Sequence, residues 1–235
     1  MESVYLKNNS DDFFLQEAYR VLRTNLRFCG EEVKVIAITS TGEGEGKSMI
    51  SLNIAKSFAE LGKRVLLLDA DMRRSVMAER YTNADGADGL SEVLSGLRTA
   101  SDCIYSCQTP RLHLMFAGRY PPNPAELLSG KRFADLLSEV REPYDYVIVD
   151  TPSLGRVIDA AVIAPHCDGT ALVVCGRKTT YHAAQQALNQ LKKSGCRVLG
   201  AIWNSVPAKP GKKRKRHKKR SMTSVMLLRV FYRGI

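Results

Sequence analysis

Residues 33–61 read VKVIAITSTGEGEGKSMISLNIAKSFAEL. The opening is apolar and β-branched, the centre is rich in glycine, and the last part spaces apolar residues at helical intervals. A buried strand, a glycine loop and a helix are expected in that order. Within the loop, Gly42-Glu43-Gly44-Glu45-Gly46-Lys47-Ser48 has the composition of a phosphate cradle. Glycines let backbone N–H groups turn inward around phosphate oxygens, and the following helix N-terminus adds positive potential. Lys47 is placed to reach β- and γ-phosphates, and the Ser48 hydroxyl to bind Mg²⁺. Thr41 stands where the full G-x-x-x-x-G-K-[ST] pattern has its first glycine.

Five more apolar runs read as buried strands: residues 65–69, 112–117, 146–150, 169–175 and 198–203. Helical patterns at 47–61, 131–140, 158–164 and 181–193 separate them. Strands alternating with helices predict an α/β fold, a mainly parallel sheet covered by helices on both faces. Ligands of such sheets bind at the carboxyl ends of the strands. Two strands end there in acids, LLLDADMR at 66–73 and VIVDTPS at 147–153. A buried strand rarely ends in a carboxylate without a partner, and Mg²⁺ with phosphate oxygens is such a partner. Asp69, Asp71 and Asp150 are therefore the candidate acidic cluster beside the loop.

The formal charge of +11 is local. Residues 209–235 hold 6 Lys, 5 Arg and no acid, while the other 208 residues carry 24 basic and 24 acidic side chains. A basic tail, not a basic fold, sets the pI, and no nucleic-acid role is expected for the domain. The basic run KKRKRHKKR at 212–220 has no interleaved aromatic residue for base stacking. Nine basic residues precede the apolar stretch 225–232, which suits either an anionic membrane surface or a solvated tail. No apolar run approaches the roughly 20 residues of a spanning helix, and no secretory signal is evident, so a cytoplasmic protein is expected. The six cysteines form no Cys-x-x-Cys pair, and His113, His166, His182 and His217 lack metal-ligand spacing. Three segments are expected: 1–30 with a helix at about 12–28, the nucleotide-binding domain at 31–206, and a flexible tail at 207–235.

With these residues in hand, the chain resembles the bacterial tyrosine kinases of capsular and exopolysaccharide synthesis. That family carries a Walker A, an additional motif of three apolar residues followed by Asp-x-Asp-x-Arg, and a Walker B ending Asp-x-Pro. TSTGEGEGKS, LLLDADMR and VIVDTP match them here. The likeness extends to EAYRVLRTN at 17–25, PPNPAELL at 121–128 and Asp159-Ala160. It implies a P-loop fold, ATP and Mg²⁺ as cofactors, and a tyrosine autokinase recruited to the inner face of the cell membrane. A separate membrane-anchored adaptor of the polysaccharide co-polymerase type would be its partner.

By position, Thr41, Gly42, Glu43, Gly44, Glu45, Gly46, Lys47, Ser48 and Met49 would wrap the phosphates. Lys47, Asp69, Asp71 and Asp150 would be catalytic, with Asp69 the base for the attacking tyrosine and Ser48, Asp71 and Asp150 around the metal. Asn204 matches an adenine-side asparagine, or is a turn residue. Glu17, Arg20 and Arg23 match an oligomerisation motif, E-x-x-R-x-x-R, that builds a ring; Glu17 and Arg20 can equally pair within one helix. The tail departs from the family. It holds a single tyrosine, Tyr232, where several are usual. Tyr232 or a tyrosine elsewhere is then the acceptor; otherwise the chain is a nucleotide-dependent regulator or pseudokinase.

Overall fold

The computed structural model describes residues 2–7, 13–84, 86–155, 158–176, 178–204 and, as backbone, 225–229. Six parallel strands form the centre of the sheet: β2 (Val35–Ser40), β3 (Val65–Asp69), β5 (Leu112–Met115), β6 (Tyr146–Asp150), β7 (Gly169–Cys175) and β8 (Val198–Asn204). These are the six runs read from the sequence as strands. Three short strands were not legible there: β1 (Ser3–Val4), β4 (Tyr105–Cys107) and β9 (Val225–Arg229). The order is β1-β4-β5-β3-β6-β2-β7-β8-β9, with antiparallel pairing only for β4 with β5 and β8 with β9.

The alternation of side chains divides the interior. Ile36 and Ile38 of β2 and Val65 and Leu67 of β3 face one core, with α1 (Phe13–Arg27) and α2 (Lys47–Glu60). Val35, Leu66 and Leu68 point to the opposite face, where α3 (Leu90–Ser95), α4 (Pro124–Ser129) and α5 (Lys131–Arg141) cover them. A third core lies under α6 (Asp159–Ile163) and α7 (Tyr181–Lys193). Both faces are covered, which is why the central strands are apolar without alternation.

Described stretches of the first and last segments join this body. Leu15, Tyr19, Leu22 and Leu26 bury one face of α1 in the same core as α2, so the first segment packs with the domain. Within the 207–235 segment expected as a flexible tail, Val225–Arg229 instead pairs antiparallel with β8. Without that strand β8 would present an open row of backbone donors and acceptors, which a leucine-rich segment is suited to cover. The basic run and Tyr232 lie outside the described residues.

The chain enters β2 at the centre of the sheet, with β6 on one side and β7 on the other. Chain order reverses across β2, and in doubly wound sheets the crevice at such a reversal receives the ligand. The glycine loop leaves β2 at that crevice, and Asp69 and Asp150 end β3 and β6 in register with each other.

Phe58 on α2 is fully buried and stacks on Tyr146 with ring centroids 4.0 Å apart. Phe58→Ala should lower unfolding free energy by about 3–5 kcal/mol, read from the shift in urea midpoint.

Candidate active site

The loop after β2 is held from below by its own glutamate. Glu45 is buried, and its carboxylate accepts from Thr41 N at 2.9 Å, Gly42 N at 3.1 Å and Thr41 Oγ1 at 2.6 Å. Thr179, in the β7–α7 connection, also donates its hydroxyl to Glu45. Thr41 thus supplies two donors that a glycine in its place would halve. Gly44 and Gly46 have φ of 67° and 91°, the left-handed region that glycine enters without strain. At Gly46 a Cβ would also come within 2.3 Å of Asn204 Nδ2.

Asn204, at the end of β8, donates to the Glu45 carbonyl at 2.7 Å. Together with Thr179 it ties Glu45 to the neighbouring β7 and β8 side of the sheet. The Asn204 Oδ1 is buried with no hydrogen-bond partner among the described residues. Met49, half-buried on the first turn of α2, lies beside Gly46. Lys178 donates to the Gly44 carbonyl at 3.0 Å. Arg74 grips the Glu43 carboxylate with two contacts of 2.9 and 3.0 Å at the surface. That pair is exposed and adds little to stability.

Under the loop lie the charges. Lys47 Nζ is 3.0 Å from Asp71 Oδ2, 3.4 Å from Ser48 Oγ and 4.0 Å from Asp150 Oδ2. The Lys47 ammonium sits on Asp71, because a buried cation and carboxylate stabilise each other against lost solvation. Burial disfavours the charged form of Lys47, but Asp150 and Asp71 outweigh it and raise its pKa. Asp150 is pushed upward by burial, against the pull of Lys47 and of hydrogen bonds from Ser48 and Ser51. Ser51 donates to it at 3.0 Å.

Asp69 is enclosed completely. Its carboxylate accepts from Asp71 N at 3.0 Å and from the Ser75 hydroxyl. Burial, then the neighbouring Asp150 charge, pushes its pKa up to about 7. Such a carboxyl can hold or release a proton near neutrality. Among the described residues no group of three or more His, Cys, Asp or Glu is arranged to hold a metal by itself.

The arginine of the Asp-x-Asp-x-Arg run has a structural partner. Arg73 makes two contacts, 2.6 and 3.1 Å, with the fully buried carboxylate of Asp159. This bidentate pair ties the end of β3 to the start of α6. An open polar cavity of about 830 Å³ lies elsewhere, at the β1–β4 edge between Glu2, Asp88, Arg98 and Tyr105, and no residue of the glycine loop or the acidic cluster lines it.

A family model described as an AAA domain matches residues 33–194. Tyrosine-protein kinase CpsD of Streptococcus agalactiae is 40% identical over 191 residues, 81% of this chain and 83% of that protein. Tyrosine-protein kinase YwqD of Bacillus subtilis strain 168 is 37% identical over 203 residues, 86% of this chain and 83% of its own length. This chain belongs to the capsule-type bacterial tyrosine-kinase family. The kinase domain of the Escherichia coli tyrosine kinase ETK superposes with a TM-score of 0.78 at 31% identity, covering 86% of this chain and 80% of that one.

Against the family pattern, α1 is divided. Glu17 and Arg20 are exposed and pair at 3.1 Å, the intrahelical contact. Arg23, the third residue of the oligomerisation motif, instead donates to the Ser57 carbonyl near the end of α2. That helix end has carbonyls without intrahelical donors, and a guanidinium satisfies one of them. Three site residues escaped the sequence reading. Ser51 lies four residues after Lys47 on the same helix face, so helical spacing could have revealed it. Ser75 and Thr179 had no local signal, since each matters only through what folding brings against it.

Because Asp69 is held protonated more strongly in the folded chain, its ionisation should cost stability as pH rises from about 4 through 7. Wild type should lose stability relative to Asp69→Asn across that window, by at most roughly 1.4 kcal/mol per pH unit. Parallel urea titrations of both proteins at a series of pH values measure the difference. A flat difference would show that Asp69 titrates normally.

Proposed function

We propose that this chain is an ATP- and Mg²⁺-dependent protein-tyrosine autokinase that regulates capsular or exopolysaccharide synthesis and export with a separate membrane-anchored adaptor. The observation that carries the reading is the meeting of Lys47, Asp69, Asp71 and Asp150 beneath a glycine loop at the sheet's reversal point. Relatives named as tyrosine-protein kinases over four-fifths of the chain support the same chemistry.

The residues fit a nucleotide. The glycine loop offers backbone N–H groups between α2 and the strand end, and the orphaned Asn204 Oδ1 is an acceptor suited to an exocyclic adenine amine. Lys47 would neutralise the phosphates, while Ser48, Asp71 and Asp150 would hold Mg²⁺ with phosphate oxygens. ATP supplies the phosphoryl group and Mg²⁺ offsets charge on its oxygens. Asp69 would take the proton of the acceptor tyrosine, its own proton affinity being matched to that task near pH 7. Ser75 and the Asp71 amide orient its carboxylate.

Exposed Glu17 and Arg20 support a ring of subunits that delivers one chain's tyrosine to a neighbour. In that ring Arg23 would act indirectly, by fixing α1 on α2. Among the described residues no helix is long and apolar enough to cross a membrane, which fits recruitment by a partner. The basic tail would add attraction to an anionic inner leaflet.

Incubation with γ-labelled ATP and Mg²⁺, with and without the adaptor's cytoplasmic segment, tests the reading. Phosphotyrosine should appear in wild type and fall by at least about a hundredfold in Lys47→Ala, since a transition-state charge partner is removed. Nucleotide hydrolysis with no labelled tyrosine in either chain would replace the kinase by a regulatory ATPase, the reading that the single tail tyrosine favours.

A further inference from the structure

The loop between β5 and α4 carries Arg119-Tyr120-Pro121-Pro122 over the carboxyl end of β3. Its backbone is anchored on α3: Ser91 N donates to the Ala117 carbonyl at 3.0 Å, and Arg119 N to Glu92 Oε1 at 3.2 Å. Two prolines then fix φ immediately after Tyr120. The backbone on either side of Tyr120 is therefore set by the fold.

The Tyr120 hydroxyl donates to the Ser75 carbonyl at 3.2 Å. Ser75 is the residue whose own hydroxyl donates to Asp69. Burial raises the phenol pKa, and the charges of Asp69 and Asp71 are the next causes, which puts the phenol within electrostatic reach of both carboxylates. Yet the residue is 61% exposed, so much of the ring is open to solvent. A tyrosine hydrogen-bonded to the residue that donates to the proposed base has the chemistry of a substrate.

We propose that Tyr120 is a phosphorylation site of this chain, modified by the chain's own catalytic centre. This rests on the kinase reading above. The ring leaves the Ser75 carbonyl, and Tyr120 Oη forms a bond to the γ-phosphorus. The bond from that phosphorus to the β,γ-bridging oxygen breaks, and its electron pair departs with ADP. The phenolic proton passes to Asp69. The product carries a phosphate of charge near −2 within electrostatic reach of Asp69, Asp71 and Glu79, which repel it. A chain whose tail holds one tyrosine thereby has an acceptor inside its folded domain.

Two measurements on the full chain test this. First, wild type, Lys47→Ala and Tyr120→Phe are incubated with ATP and Mg²⁺ and their phosphopeptides mapped by mass spectrometry, with circular dichroism confirming that each is folded. Phosphate should sit on Tyr120 in wild type and be lost from that peptide in both variants. Second, tetranitromethane nitration is followed with and without Mg-ADP, a readout that needs no turnover. Nitration of Tyr120 should slow severalfold with the nucleotide, while Tyr5, exposed at the β1 edge, is nitrated at an unchanged rate. Lys47-dependent phosphate confined to other tyrosines would overturn the Tyr120 proposal and leave the kinase standing. Absence of phosphotyrosine anywhere would overturn both, and equal nitration rates would remove Tyr120 from the site.

Discussion

Four charged side chains meet where three parallel strands end, and little of the molecule is independent of that meeting. Lys47 cannot be buried without Asp71 and Asp150, nor can Asp150 be buried without Lys47, Ser48 and Ser51. Removing one partner of such a group leaves an uncompensated charge, which costs several kcal/mol. The central strands must therefore end in register, and they do: Asp69 stands opposite Asp150. Around that centre the fold supplies rigid support. Arg73 holds Asp159, Arg23 caps α2, and Asn204 and Thr179 hold the glycine loop from the ends of neighbouring strands.

Much of this was legible in the chain. The six central strands are runs of Val, Leu and Ile that need both faces covered, and their composition says so without any alignment. The glycine loop and the two acid-ended strands marked in advance the place where Lys47, Asp71 and Asp150 meet, because each residue type has a definite physical role at a strand end. Two kinds of feature were not legible. Short edge strands such as β1 and β4 have too few residues to show a period, and β9 lies in a basic segment whose charge dominates its reading. Contacts of long sequence separation were the second kind. Glu45 and Thr179 are 134 positions apart, and nothing in either neighbourhood marks the other.

The helix α1 shows how a motif can be spelled correctly and still divide its roles. Spacing of three residues puts Glu17, Arg20 and Arg23 within about 120° of one another on an α-helix. Arg23 lies at the edge of that arc, close enough to the buried stripe of Tyr19, Leu22 and Leu26 for its long side chain to reach α2. Periodicity gives the direction of a Cβ; the flexible stem beyond it decides which neighbour is met.

Glu45 would have a consequence for capture of the nucleotide proposed above. An anion-binding loop that carries a carboxylate in its own interior is already wound around a negative group before any ligand comes. Thr41 and Gly42 point their amides at that carboxylate, so the backbone has lost its conformational freedom during folding and not during association. Binding of the proposed nucleotide would then bear little further ordering entropy, and its affinity would be limited by contacts made and not by loop closure. The site is a socket moulded in advance, with its shape stored in the same folding transition that stabilises the sheet.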